Sequence, residues 1–342
     1  MKIVIRRPDD MHRHLRAGPL LGITAKHLGP FARALCMPNT TPPIANAEDV
    51  SRYRQEIFQS LPPGSDFIPL MAIKLLDSTT PEIIEGAYNA GAVAVKVYFR
   101  GTTTNSNDGI QIEELEKFYP VFEKMEQINL LNRRKILLLW HGENPLSGYC
   151  LDQEVDFLDL MIEVHIQFRQ LKMVMEHITT EAAVNAVNDL GDNVAATITP
   201  HHLRLTTDNI IRGKLHPHNF CMPVAKRPAD RDALIRAAIS GNPKFFLGTD
   251  DAPHLQENKE CSEGCAGVWT GPFGLNHYAD VFEANGALDK LGDFASVFGA
   301  RFYELPFNQG NVELERSPFK IPSLLDGVVP FMARQVLNWQ VS

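Results

Sequence analysis

Eight short apolar runs, five of them with a histidine, a lysine or an aspartate at or just beyond their end, recur along the 342-residue chain with longer amphipathic stretches between them. The runs fall at 11–14, 34–37, 67–71, 92–98, 136–141, 172–177, 194–199 and 245–248, each strand-sized. Helical periodicity marks 47–59, 81–89, 112–128 and 230–239. Eight strands alternating with helices over about 250 residues predict a (β/α)8 TIM barrel. The rival doubly wound sheet usually carries a Gly-rich phosphate turn after its first strand, and none is present. Past Asp250 the pattern loosens into a Gly- and Cys-containing loop at 261–274, two helical stretches and a Pro-rich tail from Leu305. The expectation is therefore α/β: one barrel domain over 1–342 with a C-terminal helical and irregular extension, residues 305–342 forming the tail.

Composition narrows the function classes. Hydrophobic residues make up 44% of the chain, ample for a large core, and charged residues 22%. The formal charge is −8 with no basic stripe, which argues against nucleic acid. An anionic substrate must then be drawn by a local cationic pocket. The start, MKIVIRRPDD, lacks an apolar signal segment, and no run approaches membrane-span length. Five widely spread cysteines, an odd number, do not form a disulfide framework. A soluble cytoplasmic protein is expected.

In a barrel of this kind, reactive residues sit at the C-terminal ends of the strands. In order, those ends carry His12 and His14, then Lys96, His141, His177 and Asp250. Residues two apart on a strand share a face, so both imidazoles of His12-Arg13-His14 are expected in the barrel mouth, with Asp10 and Arg16 at the same parity. Paired imidazoles suit zinc. The alternation over 92–98 puts Ala92, Ala94, Lys96 and Tyr98 inward, with Val93, Val95 and Val97 against the helix layer. A lysine buried there is costly unless paired, metal-linked or neutral. A neutral one can take up carbon dioxide as an anionic carbamate able to bridge two metals. His141 and His177 each close an apolar run, and Asp250 follows the last; a lone residue of this kind is more often structural, whereas the whole set points to metal.

The motifs around these positions are Asp10-Met11-His12-Arg13-His14-Leu15-Arg16, Met37-Pro38-Asn39-Thr40-Thr41-Pro42-Pro43, Lys96-Val97-Tyr98, the TTTNS segment from Thr102, His141-Gly142-Glu143 and Glu176-His177-Ile178-Thr179-Thr180. They continue with Ile198-Thr199-Pro200-His201-His202-Leu203, Cys221-Met222-Pro223 and Gly248-Thr249-Asp250-Asp251-Ala252-Pro253-His254. In these stretches, from about residue 6 to about residue 305, the chain resembles the amidohydrolase superfamily and, within it, the single-function bacterial and fungal type of dihydroorotase.

The resemblance implies two zinc ions per subunit, the first held by His12, His14 and Asp250, the second by His141 and His177. Lys96, carboxylated on its terminal nitrogen, and a hydroxide would bridge them. It further implies that Arg16, Asn39 and His254 grip a substrate α-carboxylate, and that Met222 and Ala266 offer backbone contacts to the ring. Thr103 and Thr104 would belong to a loop closing over the site. The reaction implied is the reversible cyclisation of N-carbamoyl-L-aspartate to dihydroorotate in pyrimidine synthesis, with Asp250 as the catalytic proton shuttle. A homodimer is the default assembly.

The chain departs from the family pattern at Arg13, usually apolar, at Ala17, usually acidic, and at Asp251, usually Ser; residues 129–135 also look long. Arg13 is expected to face the helix layer and either snorkel or find an acidic partner, and the Asp251 charge to raise the pKa of one carboxylate of the Asp250–Asp251 pair. Cys261 and Cys265 read as loop residues rather than a metal clip, and His201-His202 as second-layer or structural. Two other functions remain open: a hydantoinase or allantoinase sharing the metal site, and an inactive homologue with a structural role.

Overall fold

A computed structural model of the chain describes residues 1–341. Eleven strands lie among the described residues: β1 (Lys2–Arg6), β2 (Asp9–Arg13), β3 (Arg33–Cys36), β4 (Ile68–Lys74), β5 (Ala92–Val97), β6 (Leu137–Trp140), β7 (Met173–Met175), β8 (Val194–Ile198), β9 (Phe245–Leu247), β10 (Asn311–Lys320) and β11 (Val336–Val341). Strands β2 to β9 pair in sequence order, every pair parallel. A parallel bridge between Arg13 and Asp251 brings the last strand back to the first. The sheet is thus the nearly closed eight-stranded barrel that the alternating pattern predicts.

Helices connect the strands and cover the outside. Asn46 caps the helix Ala47–Ser60 by accepting from the backbone N–H groups of Glu48 and Asp49, and Thr80 caps Pro81–Asn89. The 112–128 periodicity resolves into a 3₁₀ turn, Ile112–Phe118, and a helix, Tyr119–Leu131. The long segment that follows is tied down by Asn129, whose side chain exchanges hydrogen bonds with both backbone groups of Ile136.

Inside the barrel, Leu35, Leu70, Ala72, Ala94, Leu139, Val174, Ala195 and Phe246 fill the layers, and Phe298, Phe302 and Tyr303 pack against them. Two register slips alter the expected facing. β5 carries one extra residue opposite the Met71–Ala72 step, so Val93 packs inside and Ala92 in the outer layer, the reverse of simple alternation. A second slip in β2, between Asp10 and Arg13, lets Met11 join the inner cluster while His12 and His14 still reach the mouth. Asp10 does not follow them: its carboxylate accepts from the backbone N–H and hydroxyl of Thr249, at 2.8 and 2.6 Å, tying β2 to the end of β9.

The tail holds more regular structure than its proline content suggests. β10 pairs antiparallel with both β1 and β11, making a three-stranded sheet beside the barrel. Fully buried Trp339 seals it, donating to Glu283 at 3.0 Å. Among the described residues no helix is long and apolar enough to cross a membrane.

Candidate active site

At the C-terminal mouth of the barrel, the chain bends sharply just past three strands. Arg16, His177 and Asp250 all have positive φ, at 62°, 45° and 47°. Such left-handed backbone costs a non-glycine residue about 1–2 kcal/mol, and it persists at sites that the surrounding structure over-determines. Gly248 permits the close approach behind them, since a Cβ there would lie 2.8 Å from the Thr197 side chain and 3.0 Å from that of His12.

Three atoms meet at the centre. His12 Nε2 lies 3.4 Å from His14 Nε2 and 3.3 Å from Asp250 Oδ1, and His14 Nε2 lies 3.0 Å from the same oxygen. Donors at about 2.0–2.1 Å from a tetrahedral zinc stand roughly 3.3 Å from one another, so this spacing is that of a ligand set. The remaining nitrogens are tied back: His12 Nδ1 to Glu176 at 2.8 Å and His14 Nδ1 to Asn39 Oδ1 at 2.8 Å. Such outer partners fix tautomer and ring orientation in metal sites. His141 has an equivalent carboxylate, Glu143, at 2.8 Å.

The second half of the predicted set is adjacent. The His177 ring centroid stands 5.0 Å from that of His12 and 4.8 Å from that of His141. Lys96 is wholly buried and its Nζ has no hydrogen-bond partner; His177 Nδ1, Glu143 Oε1 and Glu176 Oε1 are likewise buried and unpartnered. Orphaned polar atoms of both signs around one point are costly, and they fit a cation site bridged by a modified lysine.

The electrostatics agree. Burial lowers the Lys96 amine to about 8, against the pull of Glu176 and Asp250. Burial also lowers His14 to about 4 and His177 well below its usual value, keeping both in the neutral, metal-binding form. Asp250 is pushed up by burial, but the charge and hydrogen bonds of His12 and His14 outweigh that and hold it well below the usual carboxylate range.

Around this centre lie the expected substrate groups. The cavity is lined by His12, His14, Arg16, Asn39, Thr103, Thr104, His141, His177, Met222, Asp250 and Ala266, together with Tyr98 and Cys221. Lys96 and His254 are not in its wall, though His254 Nε2 stands 3.0 Å from Arg16 Nη2 and 3.0 Å from Ala266 O. Arg16 also donates to Pro253 O and, among the described residues, has no carboxylate within ion-pair distance. The cavity is small, about 20 Å³, just above what a single water needs. The 101–109 loop closes it: Asn39 Nδ2 donates to Thr104 O, and Thr104 Oγ1 to Ala266 O.

Two further side-chain groups lie beside the proposed metal set, the first reaching the cavity wall through Cys221. His202 has both nitrogens engaged, with Thr199 Oγ1 and Pro223 O, and burial pushes the neighbouring Cys221 thiol up to about 12. Cys261 and Cys265 are free, and neither belongs to a potential metal group among the described residues. The residues that sequence reasoning left unassigned are Glu143 and Glu176, which flank His141 and His177 in sequence, and Lys74, which closes β4 as Lys96 closes its run.

With that geometry in place, the comparisons are decisive. The dihydroorotase of Teredinibacter turnerae is 44% identical over 346 residues, covering 99% of this chain and 98% of the relative. This chain belongs to the dihydroorotase family. It is therefore an enzyme of the cyclic-amide hydrolase class. Solved dihydroorotases superpose closely: that of Saccharomyces cerevisiae, in complex with 5-fluoroorotic acid, has a TM-score of 0.91 at 34% identity and covers 100% of this chain and 98% of that one. The dihydroorotase of Campylobacter jejuni gives 0.90 at 34%, covering 100% and 97%. No protein-family model matches the chain.

Proposed function

We propose that this dihydroorotase interconverts N-carbamoyl-L-aspartate and dihydroorotate using two zinc ions, as a step of pyrimidine synthesis. The observation that carries the reading is the 3.0–3.4 Å triangle of His12, His14 and Asp250 beside the unpartnered, buried Lys96. His12, His14 and Asp250 would hold one ion, His141 and His177 the other, and a Lys96 carbamate would join them. Bound there, the metals would lower the pKa of water and polarise the carbonyl under attack.

The chain's own groups supply the rest. Asp250, held ionised, takes the proton of the attacking water and passes it to the departing ring nitrogen; in the cyclising direction the transfers run in reverse. Arg16 offers a planar fork to the substrate α-carboxylate, and the lack of an ion-pair partner leaves it free to do so. Asn39 and His254 flank that position, and the backbone of Met222 and Ala266 faces the ring. Thr103 and Thr104 shut the loop over bound substrate and exclude water. The same carboxylate grip disfavours a hydantoinase or allantoinase, and six filled ligand positions disfavour an inactive homologue. A homodimer and a cytoplasmic setting complete the reading; the five cysteines are all free.

The test is dihydroorotate hydrolysis by purified protein before and after chelation and zinc addition. Activity lost with chelation and regained with zinc supports the reading. Zinc-loaded protein that opens hydantoin or allantoin but leaves dihydroorotate intact would refute the substrate.

A further inference from the structure

Lys74 shares the inward face of β4 with Leu70 and Ala72 and is paired in register with Lys96 on β5. It is 1% exposed, yet it lies outside the cavity wall. Its Nζ stands 5.5 Å from the centre of the Tyr98 ring, donates to Asn105 O at 2.7 Å and forms an ion pair with Asp108. Both partners belong to the 101–109 loop. That loop is folded on itself, Ser106 donating to Thr103 O at 2.6 Å and Gly109 N–H to Ser106 O at 2.8 Å, so it moves most simply as a unit. Its other polar attachments at the site are uncharged and use Asn39 and Ala266, groups that line the cavity. Besides Arg100, which donates to Gly109 O at the base of the loop, the lysine is the charged anchor, and it does not compete with substrate.

We propose that Lys74, through Asp108 and the Asn105 carbonyl, latches the 101–109 loop shut and so positions Thr103 and Thr104 over the substrate. The inference rests on the reading of the site as a dihydroorotase centre with a closing loop. Opening the loop strips the buried ammonium of both partners and leaves it against Tyr98 alone, a cost that biases the loop toward closure. The loop lies over the cavity through Thr103 and Thr104, so substrate entry breaks this contact and closure remakes it. Lys74 is thus a positioning residue, not a catalytic one.

Two variants test it in the zinc-loaded full chain. Lys74→Met is expected to raise KM for dihydroorotate about tenfold, the loss of a charge-assisted hydrogen bond, with a smaller change in kcat and unchanged zinc content. Lys74→Arg should recover part of the effect. Asp108→Asn, at a side chain 49% exposed, leaves the core untouched and should raise KM several-fold. Amide exchange over 101–109 should quicken in both Lys74→Met and Asp108→Asn, a readout that needs no turnover. If dihydroorotate proves not to be the substrate, exchange alone still decides the latch. Wild-type exchange over 101–109 in Asp108→Asn, or wild-type KM in both variants, overturns it.

Discussion

The two roles proposed for Asp250 pull in one direction, since a metal ligand and a proton acceptor both need an ionised carboxylate. Asp250→Asn keeps the shape and removes the proton site, so kcat should fall by roughly 10²–10⁴-fold; normal turnover would refute the proton role. Lys96 carries a pH signature. Only the neutral amine reacts with carbon dioxide, and burial holds this group at about 8 rather than roughly 10.4. The sign follows: in protein stripped of metal and carbon dioxide, uptake at fixed dissolved CO2 should speed up as pH rises and level off just above 8. A rate still climbing at pH 10 would show that burial does not depress the amine. Lys96→Ala should lower zinc content and activity together.

Between elements, the junction of β2 with the end of β9 explains two departures from the family pattern at once. Arg13 turns outward from the barrel, donating to Asp251 Oδ2 at 2.7 Å and to the carbonyls of His27 and Leu28. The other Asp251 oxygen accepts from Thr270 and Gly271. The unusual arginine and the unusual aspartate are each other's partner. Burial is the main force raising the Asp251 carboxyl, opposed by the Arg13 charge and the hydrogen bonds from Gly271 and Thr270. Removing Asp251 leaves Arg13 with Asp10, 3.7 Å away, as its remaining buried carboxylate, so Asp251→Ala should cost about 3 kcal/mol, read as a lower urea midpoint. Arg13→Leu combined with Asp251→Ser should recover most of that. If the double variant were as unstable as the sum of the single losses, the pair would not be the unit we describe.

For the whole molecule, the proposed metals would link occupancy to stability. Zinc that binds the folded barrel and not the unfolded chain stabilises it by roughly 2.7 kcal/mol at a hundred times its Kd. The melting temperature should therefore rise by several degrees with zinc and fall again with chelator. A melting curve indifferent to both would remove the metal reading. The net charge of −8 does not attract an anionic substrate; in the proposed reading Arg16, which has no ion-pair partner among the described residues, would supply the local attraction.

Alternating apolar runs and helical stretches sufficed to read the barrel, because burial of one face imposes its period on the chain. The polar residues closing those runs pointed to the set proposed to hold metal, and the fold brings His12, His14 and Asp250 within 3.4 Å of one another. Three things lay beyond the sequence. The register slips in β2 and β5 that bring Met11 and Val93 inward arise from pairing between strands, which no single strand encodes. The β1–β10–β11 sheet joins residues some 300 apart, so neither partner announces it locally. The contacts of Lys74 with Asp108 and of Arg13 with Asp251 likewise needed the fold, because a charge declares its partner only when desolvation forces the two together.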